Sequence, residues 1–272
     1  MKIIIDASSN GSGGGRRHLK ETIIEFTNPN YNIDKIYIWG PKSLLNILPK
    51  SAIIIKKSSI LLNKGLIGII IWQLIFRDRC FKKIDFDCIY SPFGNYIGKL
   101  KPYVTMSQNM LMFEKKERKK FGFSLARLKL KTLYYVQKKS FINSSGVIFL
   151  SNYAKKIISN KLNFKFKSSV VINHGVSTEF NKRPKIQLSI SDHTKESPFK
   201  LLYVSNILPY KYHLNVIKTI NELVQEDIPI KLTLVGKIDS GYLGKKVNYL
   251  VNKVNNSNNY KNCYYKAHYF KI

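Results

Sequence analysis

Short apolar runs alternate with longer stretches in which apolar residues recur every three or four positions. The short runs predict strands at Lys2–Asp6, Lys35–Trp39, Ala52–Ile55, Cys88–Tyr90, Tyr103–Met106, Gly146–Leu150 and Ser169–Ile172. The periodic stretches predict helices at Arg16–Phe26, Ser43–Leu48, Lys64–Arg77, Ser124–Phe141 and Tyr153–Leu162. Strands that alternate with helices imply an α/β fold with a mostly parallel sheet covered on both faces. Residues 181–198 contain Pro184, Pro198 and the polar patch SISDHTKES, and read as a linker. Strands at Lys200–Ser205 and Ile230–Val235 follow, with helices at Tyr212–Glu226 and Tyr242–Val254 and one further strand around Cys263–Tyr265. The expected organisation is a first domain over 1–180, a linker over 181–198 and a second domain over 199–272. That second stretch is shorter than the roughly 100–150 residues of most domains. With two or three strands it is expected to be incomplete.

Leu66 to Phe76, LIGIIIWQLIF, carries no charge and is bracketed by Lys64 and Arg77. It is shorter than the roughly 20 residues of a membrane-spanning helix. A buried helix and an interface-dipping segment are the two readings. Lys115 to Phe141 holds ten basic residues, with Phe121, Leu125, Leu128, Thr132 and Val136 on one helical face. Such a helix either packs that face into a core or lies on anionic lipid.

Charge changes the picture more than composition does. Against 46 Lys and Arg stand 16 Asp and Glu, for a formal charge of +30. Nucleic acid, an anionic membrane and a phosphorylated substrate are the partners such a charge suits. Abundant Lys, Ile and Asn along the whole chain also fit a simple compositional bias. The basic residues are dispersed and no nucleic-acid recognition motif accompanies them, so a nucleic-acid partner is disfavoured. The three cysteines, Cys80, Cys88 and Cys263, form no CxxC pair. They suggest neither a disulfide framework nor a metal site, and fit a reducing, cytoplasmic compartment. The N-terminus reads as a core strand and not as a signal peptide.

Candidate chemistry gathers where strands end. The first strand runs into a loop with Gly11, Gly13, Gly14 and Gly15, followed by Arg16 and Arg17 at a helix start. A helix N-terminus behind such a loop suits a phosphate or another anion. The spacing is neither G-x-G-x-x-G nor a P-loop, and Trp39-Gly40-Pro41 supplies no acid after the second strand, so a dinucleotide cofactor is disfavoured. A tight flexible turn is the plainer reading. Gln108 and Asn109 follow the strand at Tyr103–Met106, as polar ligand contacts or as an ordinary cap. His174 and Gly175 end VVINHGV at a polar turn. Lys211 stands at a helix start after YVSNILPYKYH, where a lysine can hold a diphosphate. Among the acids, Asp6 is the one expected at a strand end facing a cleft. No paired carboxylates, metal cluster or nucleophile elbow is visible.

Five segments in order carry a resemblance: the glycine loop, YVTMSQNMLMFE with SSGVIFLSNYAKK, VVINHGV, LLYVSNILPYKYHLNVI and IKLTLVG. Over most of residues 1–240 the chain resembles the retaining glycosyltransferases of family 4. These have the GT-B fold of two facing Rossmann-like domains. The resemblance implies a Rossmann-like acceptor-side domain and a partial nucleotide-sugar-binding domain. It implies transfer of a sugar from a nucleotide-diphospho-sugar to a glycan or lipid-linked acceptor in surface polysaccharide synthesis. Neither a redox cofactor nor a metal is implied. The implied location is the cytoplasm, at the inner face of the plasma membrane. Gly13, Gly14, Gly15, Arg16, Gln108, Asn109, His174 and Gly175 would line the acceptor side and approach the donor phosphates. Lys211 matches the lysine that grips the diphosphate, and Asn206 stands where the family has an arginine. The family's Glu-x7-Glu pair has no counterpart, since no Glu follows Glu226. The expectation is therefore a C-terminally truncated enzyme of weak or no transfer activity, or a docking module derived from one. No catalytic residue is assigned.

Overall fold

The computed structural model describes residues 1–9, 13–176, 180–237, 241–257 and 263–267, the last five and residue 257 by their backbone alone. The chain divides into two compact units, Met1–Gly175 and Val176–Ile272.

The first unit is built on seven parallel strands: β1 (Lys2–Asp6), β2 (Lys35–Trp39), β3 (Ile54–Lys57), β4 (Cys88–Ser91), β5 (Tyr103–Ser107), β6 (Gly146–Phe149) and β7 (Ser169–Val171). Their order is β3-β2-β1-β4-β5-β6-β7. The register pairs Ile4 of β1 with Tyr37 on one side and Ile89 on the other. β3 lies two residues later than its apolar run suggests, because Trp39 pairs with Lys57 and Lys56 Nζ donates to the Leu48 carbonyl at 2.7 Å.

Strand alternation sends Ile3, Ile5, Ile36 and Ile38 to one face. There α1 (Gly14–Phe26) and α2 (Lys42–Leu45) cover them with Leu19, Ile23, Leu44 and Leu45. Ile4, Ile89 and Tyr103 point to the other face. They meet a helix that runs as α3 (Gly65–Ile71), a π turn (Trp72–Phe76) and α4 (Arg77–Phe81), through Trp72 and Phe81. On that same face, α5 (Lys115–Lys119), α6 (Leu125–Asn143) and α7 (Asn152–Leu162) follow. Phe141, Ala154, Ile158 and Leu162 pack there on Val147 and Phe149. Two-sided burial of the central strands favours the β-branched and aromatic residues seen there.

The second unit has three parallel strands, β8 (Phe199–Val204), β9 (Ile230–Gly236) and β10 (Cys263–Ala267), in the order β10-β9-β8. Its core joins Leu232 and Leu234 to Ile217 and Ile220 of α8 (His213–Gln225) and to Val247 and Val251 of α9 (Tyr242–Ser257). Leu202 and Val204 of β8 are exposed.

Candidate functional site

The strand order reverses between β1 and β4. In open α/β sheets the crevice beyond the strand carboxyl ends at such a point is where ligands bind. The sequence places its glycine loop there. Gly13 takes φ +52°, a conformation an L side chain resists, and starts α1 with no side-chain cap among the described residues. Its carbonyl accepts from the Arg16 and Arg17 N–H groups at 3.2 and 3.3 Å. A Cβ on Gly13 or Gly14 would meet open space. A Cβ on Gly15 would lie 3.2 Å from both Gln108 Oε1 and the Phe93 ring. The three glycines therefore do different things: two meet nothing among the described residues, and the third seats the helix against the β4 and β5 ends. Gly11 lies outside the described residues.

Gln108 is half-buried and donates to Met106 Sδ at 3.7 Å. Asn109 is exposed, and its Oδ1 accepts from the Leu111 N–H at 2.9 Å, which fixes the turn after β5. Arg16 reaches sideways, its Nη2 donating to Ser43 Oγ at 3.5 Å. His174 and Gly175 are both exposed after β7. The His174 ring stands edge-on to His18, with centroids 4.7 Å apart. Burial lowers the His18 pKa from 6.5, and the neighbouring His174 lowers it further. His18 was not among the residues read from the sequence. Its position three residues after Gly15 puts it one turn along α1 on the same side.

Asp6 does not face a cleft. It is 3% exposed, and its Oδ1 accepts from the Ser8 N–H and hydroxyl. Its Oδ2 lies 3.5 Å from Nη1 of Arg77, itself 1% exposed. The Arg77 Nε donates to Asp78 at 3.2 Å, and its guanidinium covers the Tyr96 ring at 4.3 Å. Gln73 Nε2 donates to the Ser8 and Ser9 hydroxyls at 2.8 and 3.0 Å. This network anchors the chain as it leaves β1 for the glycine loop. It links residues about 70 positions apart, which no local pattern reveals.

In the second unit, β8 feeds a loop, a 3-10 turn at Pro209–Lys211 and then α8. Lys211 is exposed just before the helix start, 5.4 Å from the Tyr210 ring centroid, and its carbonyl accepts from the Tyr203 hydroxyl at 2.6 Å. Asn206 Oδ1 accepts from the Lys237 N–H at 3.2 Å. A Cβ on Gly236 would fall 2.1 Å from the Ser205 carbonyl, so glycine alone lets the β8 and β9 ends close together. His213 is buried and stacks on Tyr203 at 4.7 Å, and burial lowers its pKa.

Apart from these strand ends, α5 and α6 frame a groove of about 930 Å³. Lys119, Arg127 and Lys131 line it together with Phe123 and Tyr135. Leu125 and Leu128, placed by periodicity on a helical face of their own, are exposed there. The buried face of α6 comes later, at Gln137, Ser140 and Phe141. Among the described residues, no group of three or more His, Cys, Asp or Glu could hold a metal.

No family model and no curated protein sequence matches the chain. Solved structures do. The chain is similar to a sucrose-phosphate synthase from Thermosynechococcus elongatus, with a TM-score of 0.65 and 11% identity over 99% of this chain and 71% of that one. It is similar to the HepE protein of Anabaena, solved in complex with UDP and glucose, with a TM-score of 0.62 and 15% identity over 99% and 70%. A glycosyltransferase from Rickettsia africae gives a TM-score of 0.56 and 14% identity over 100% and 69%. At such identities the likeness speaks for the arrangement of the backbone. The fold is α/β and GT-B-like.

Proposed function

We propose that this chain is a glycosyltransferase of the family 4 type. Its donor is a nucleotide-diphospho-sugar, and its acceptor is a glycan or a lipid-linked saccharide of surface polysaccharide synthesis. The observation that carries the reading is the fold likeness over 99% of the chain to a protein solved with UDP and glucose. The glycine start of α1 at the strand-order reversal supports it. So does Lys211 at the head of α8. Gly13, Gly14, Gly15, Arg16, Gln108, His174 and Gly175 serve the acceptor side, with Asn109 shaping the turn beside them. Lys211 neutralises the diphosphate as a point charge, and Asn206 offers a neutral contact in place of a second cation. The α8 N-terminus and Lys211 together stabilise charge that develops on the leaving diphosphate. A position at the inner face of the plasma membrane brings a lipid-linked acceptor to the enzyme.

Calorimetric titration of the purified chain with UDP, GDP and their sugars tests this reading. Binding is the primary measurement and turnover a second one. Micromolar binding of one nucleotide class, weakened roughly tenfold by Lys211→Ala, is expected for the loss of one charge-assisted contact. A folded chain that binds none of them at millimolar concentration overturns the reading.

A further inference from the structure

The helix through the π turn shows solvent an uninterrupted aliphatic surface. Ile67, Leu66 and Leu74 are 73%, 61% and 65% exposed, and Ile70, Ile71, Ile75 and Phe76 join them. Ile60, on the 3-10 turn before the helix, is 76% exposed. The inward side is spent on Gly68 and Trp72. Gln73 is the one polar side chain between Gly65 and Phe76, and it turns inward to Ser8 and Ser9. The outward surface therefore offers no side-chain hydrogen-bonding group. Single exposed apolar residues are ordinary on proteins, whereas a contiguous patch of this kind marks a binding surface. The patch is held firmly, since a Cβ on Gly68 would fall 2.2 Å from the Leu61 carbonyl, which leaves no room to roll the helix inward.

Charge decides what covers it. A second copy of the chain would bring +30 against +30, and like charge of that size opposes association. Protein partners usually surround an apolar centre with a polar rim. Here the flanks along the chain are mostly cationic: Lys64 precedes the patch and Arg79, Lys82 and Lys83 follow it, all exposed, while Asp78 between them is 28% exposed and paired with Arg77. Aliphatic side chains flanked by lysine and arginine suit the boundary between acyl chains and anionic headgroups. On the same sheet face, α6 presents Leu125 and Leu128 beside Arg127 and Lys131. No helix among the described residues is long and apolar enough to cross a membrane, so the contact is with one leaflet.

We infer that Leu66–Phe76 is a membrane-docking element that inserts its aliphatic face into an anionic lipid surface, with Lys64, Arg79, Lys82 and Lys83 on the headgroups. This extends the membrane placement proposed above, and its test uses no nucleotide. Failure here leaves sugar-nucleotide binding untouched, and the reverse also holds.

Flotation of the full chain is measured with phosphatidylcholine vesicles, with and without about 30% phosphatidylglycerol. Binding to the anionic vesicles alone, reduced by added salt, is expected. Ile67→Ser, Ile70→Ser and Leu74→Ser combined lower partitioning roughly tenfold or more. Far-UV circular dichroism of that variant stays unchanged. Ile67→Trp, at an exposed position, gives an emission band that moves to the blue on anionic vesicles. The inference is overturned if the wild-type chain does not float, if the triple variant floats as well as wild type, or if the Ile67→Trp emission stays put. It is also overturned if sedimentation finds a wild-type dimer that the triple variant dissociates, which would assign the face to a second copy.

Discussion

Arg77 is a buried cation whose loss the first unit tolerates poorly. Its guanidinium is 1% exposed and meets Asp6 at 3.5 Å, Asp78 at 3.2 Å and the Tyr96 ring at 4.3 Å. Arg77→Met keeps most of the buried volume but removes the cation. Asp78 is 28% exposed and keeps the Lys99 N–H at 2.7 Å, whereas Asp6, at 3%, is shut away from water. Removing one partner of a buried pair costs about 3–5 kcal/mol, because the other charge stays uncompensated. Ser8 still donates twice to Asp6, which places the expected loss at the lower end, about 3 kcal/mol. Both tryptophans, Trp39 and Trp72, lie in the first unit and pack 5.5 Å apart, so their emission reports its urea unfolding without a signal from the second. With a slope of about 2–3 kcal/mol per molar urea, the midpoint falls by about 1 M. Adding Asp6→Asn to Arg77→Met removes the stranded charge and recovers part of that loss. A midpoint that Arg77→Met leaves unmoved, or a double variant less stable than Arg77→Met alone, would refute the reasoning.

Three further outcomes follow from the same geometry. Burial depresses the His18 pKa below 6.5, so the unfolded chain binds the proton more readily. The contribution is present in full above 6.5 and is lost as pH falls through the folded value; tryptophan-detected urea midpoints should drop on acidification, and less so in His18→Phe. Gly236→Ala drives a Cβ into the Ser205 carbonyl and costs about 3 kcal/mol. Limited proteolysis should then digest the second unit while the first survives. Gly13→Ala forces alanine to φ +52° and costs about 2 kcal/mol, read as a lower tryptophan-detected midpoint.

Much of the fold was legible because buried parallel strands and amphipathic helices write their period into the chain. β1 and β2 fall where their apolar runs stand, and α1, α6 and α7 start within two residues of expectation. β3 moved because pairing with β2 carried it into Lys56 and Lys57, polar residues that no apolar run includes. The glycine loop was legible as a helix entry, but the division of labour among its glycines needed Gln108 and Phe93 from distant strands. Asp6 read as a cleft residue because its partner Arg77 lies 71 positions away. Leu66–Phe76 read first as a buried helix and second as an interfacial segment, since an uncharged run does not say how many of its sides are covered. The structure covers one side and leaves the other to solvent.

The π turn has a consequence for how this helix tolerates change in length. Trp72 and Arg77 are both 1% exposed, yet they stand five positions apart. In a regular α-helix, five positions differ by about 140° around the axis and would point to different surroundings. The wider turn, in which the Arg77 N–H bonds to the Trp72 carbonyl, brings indole and guanidinium to the same side. Excision of a single residue such as Leu74 would place the two four positions apart, about 40° around a regular α-helix, so both would keep to the interior without the π turn. The π turn thus absorbs one surplus residue, and this segment accepts the loss of that residue far more readily than the gain of another.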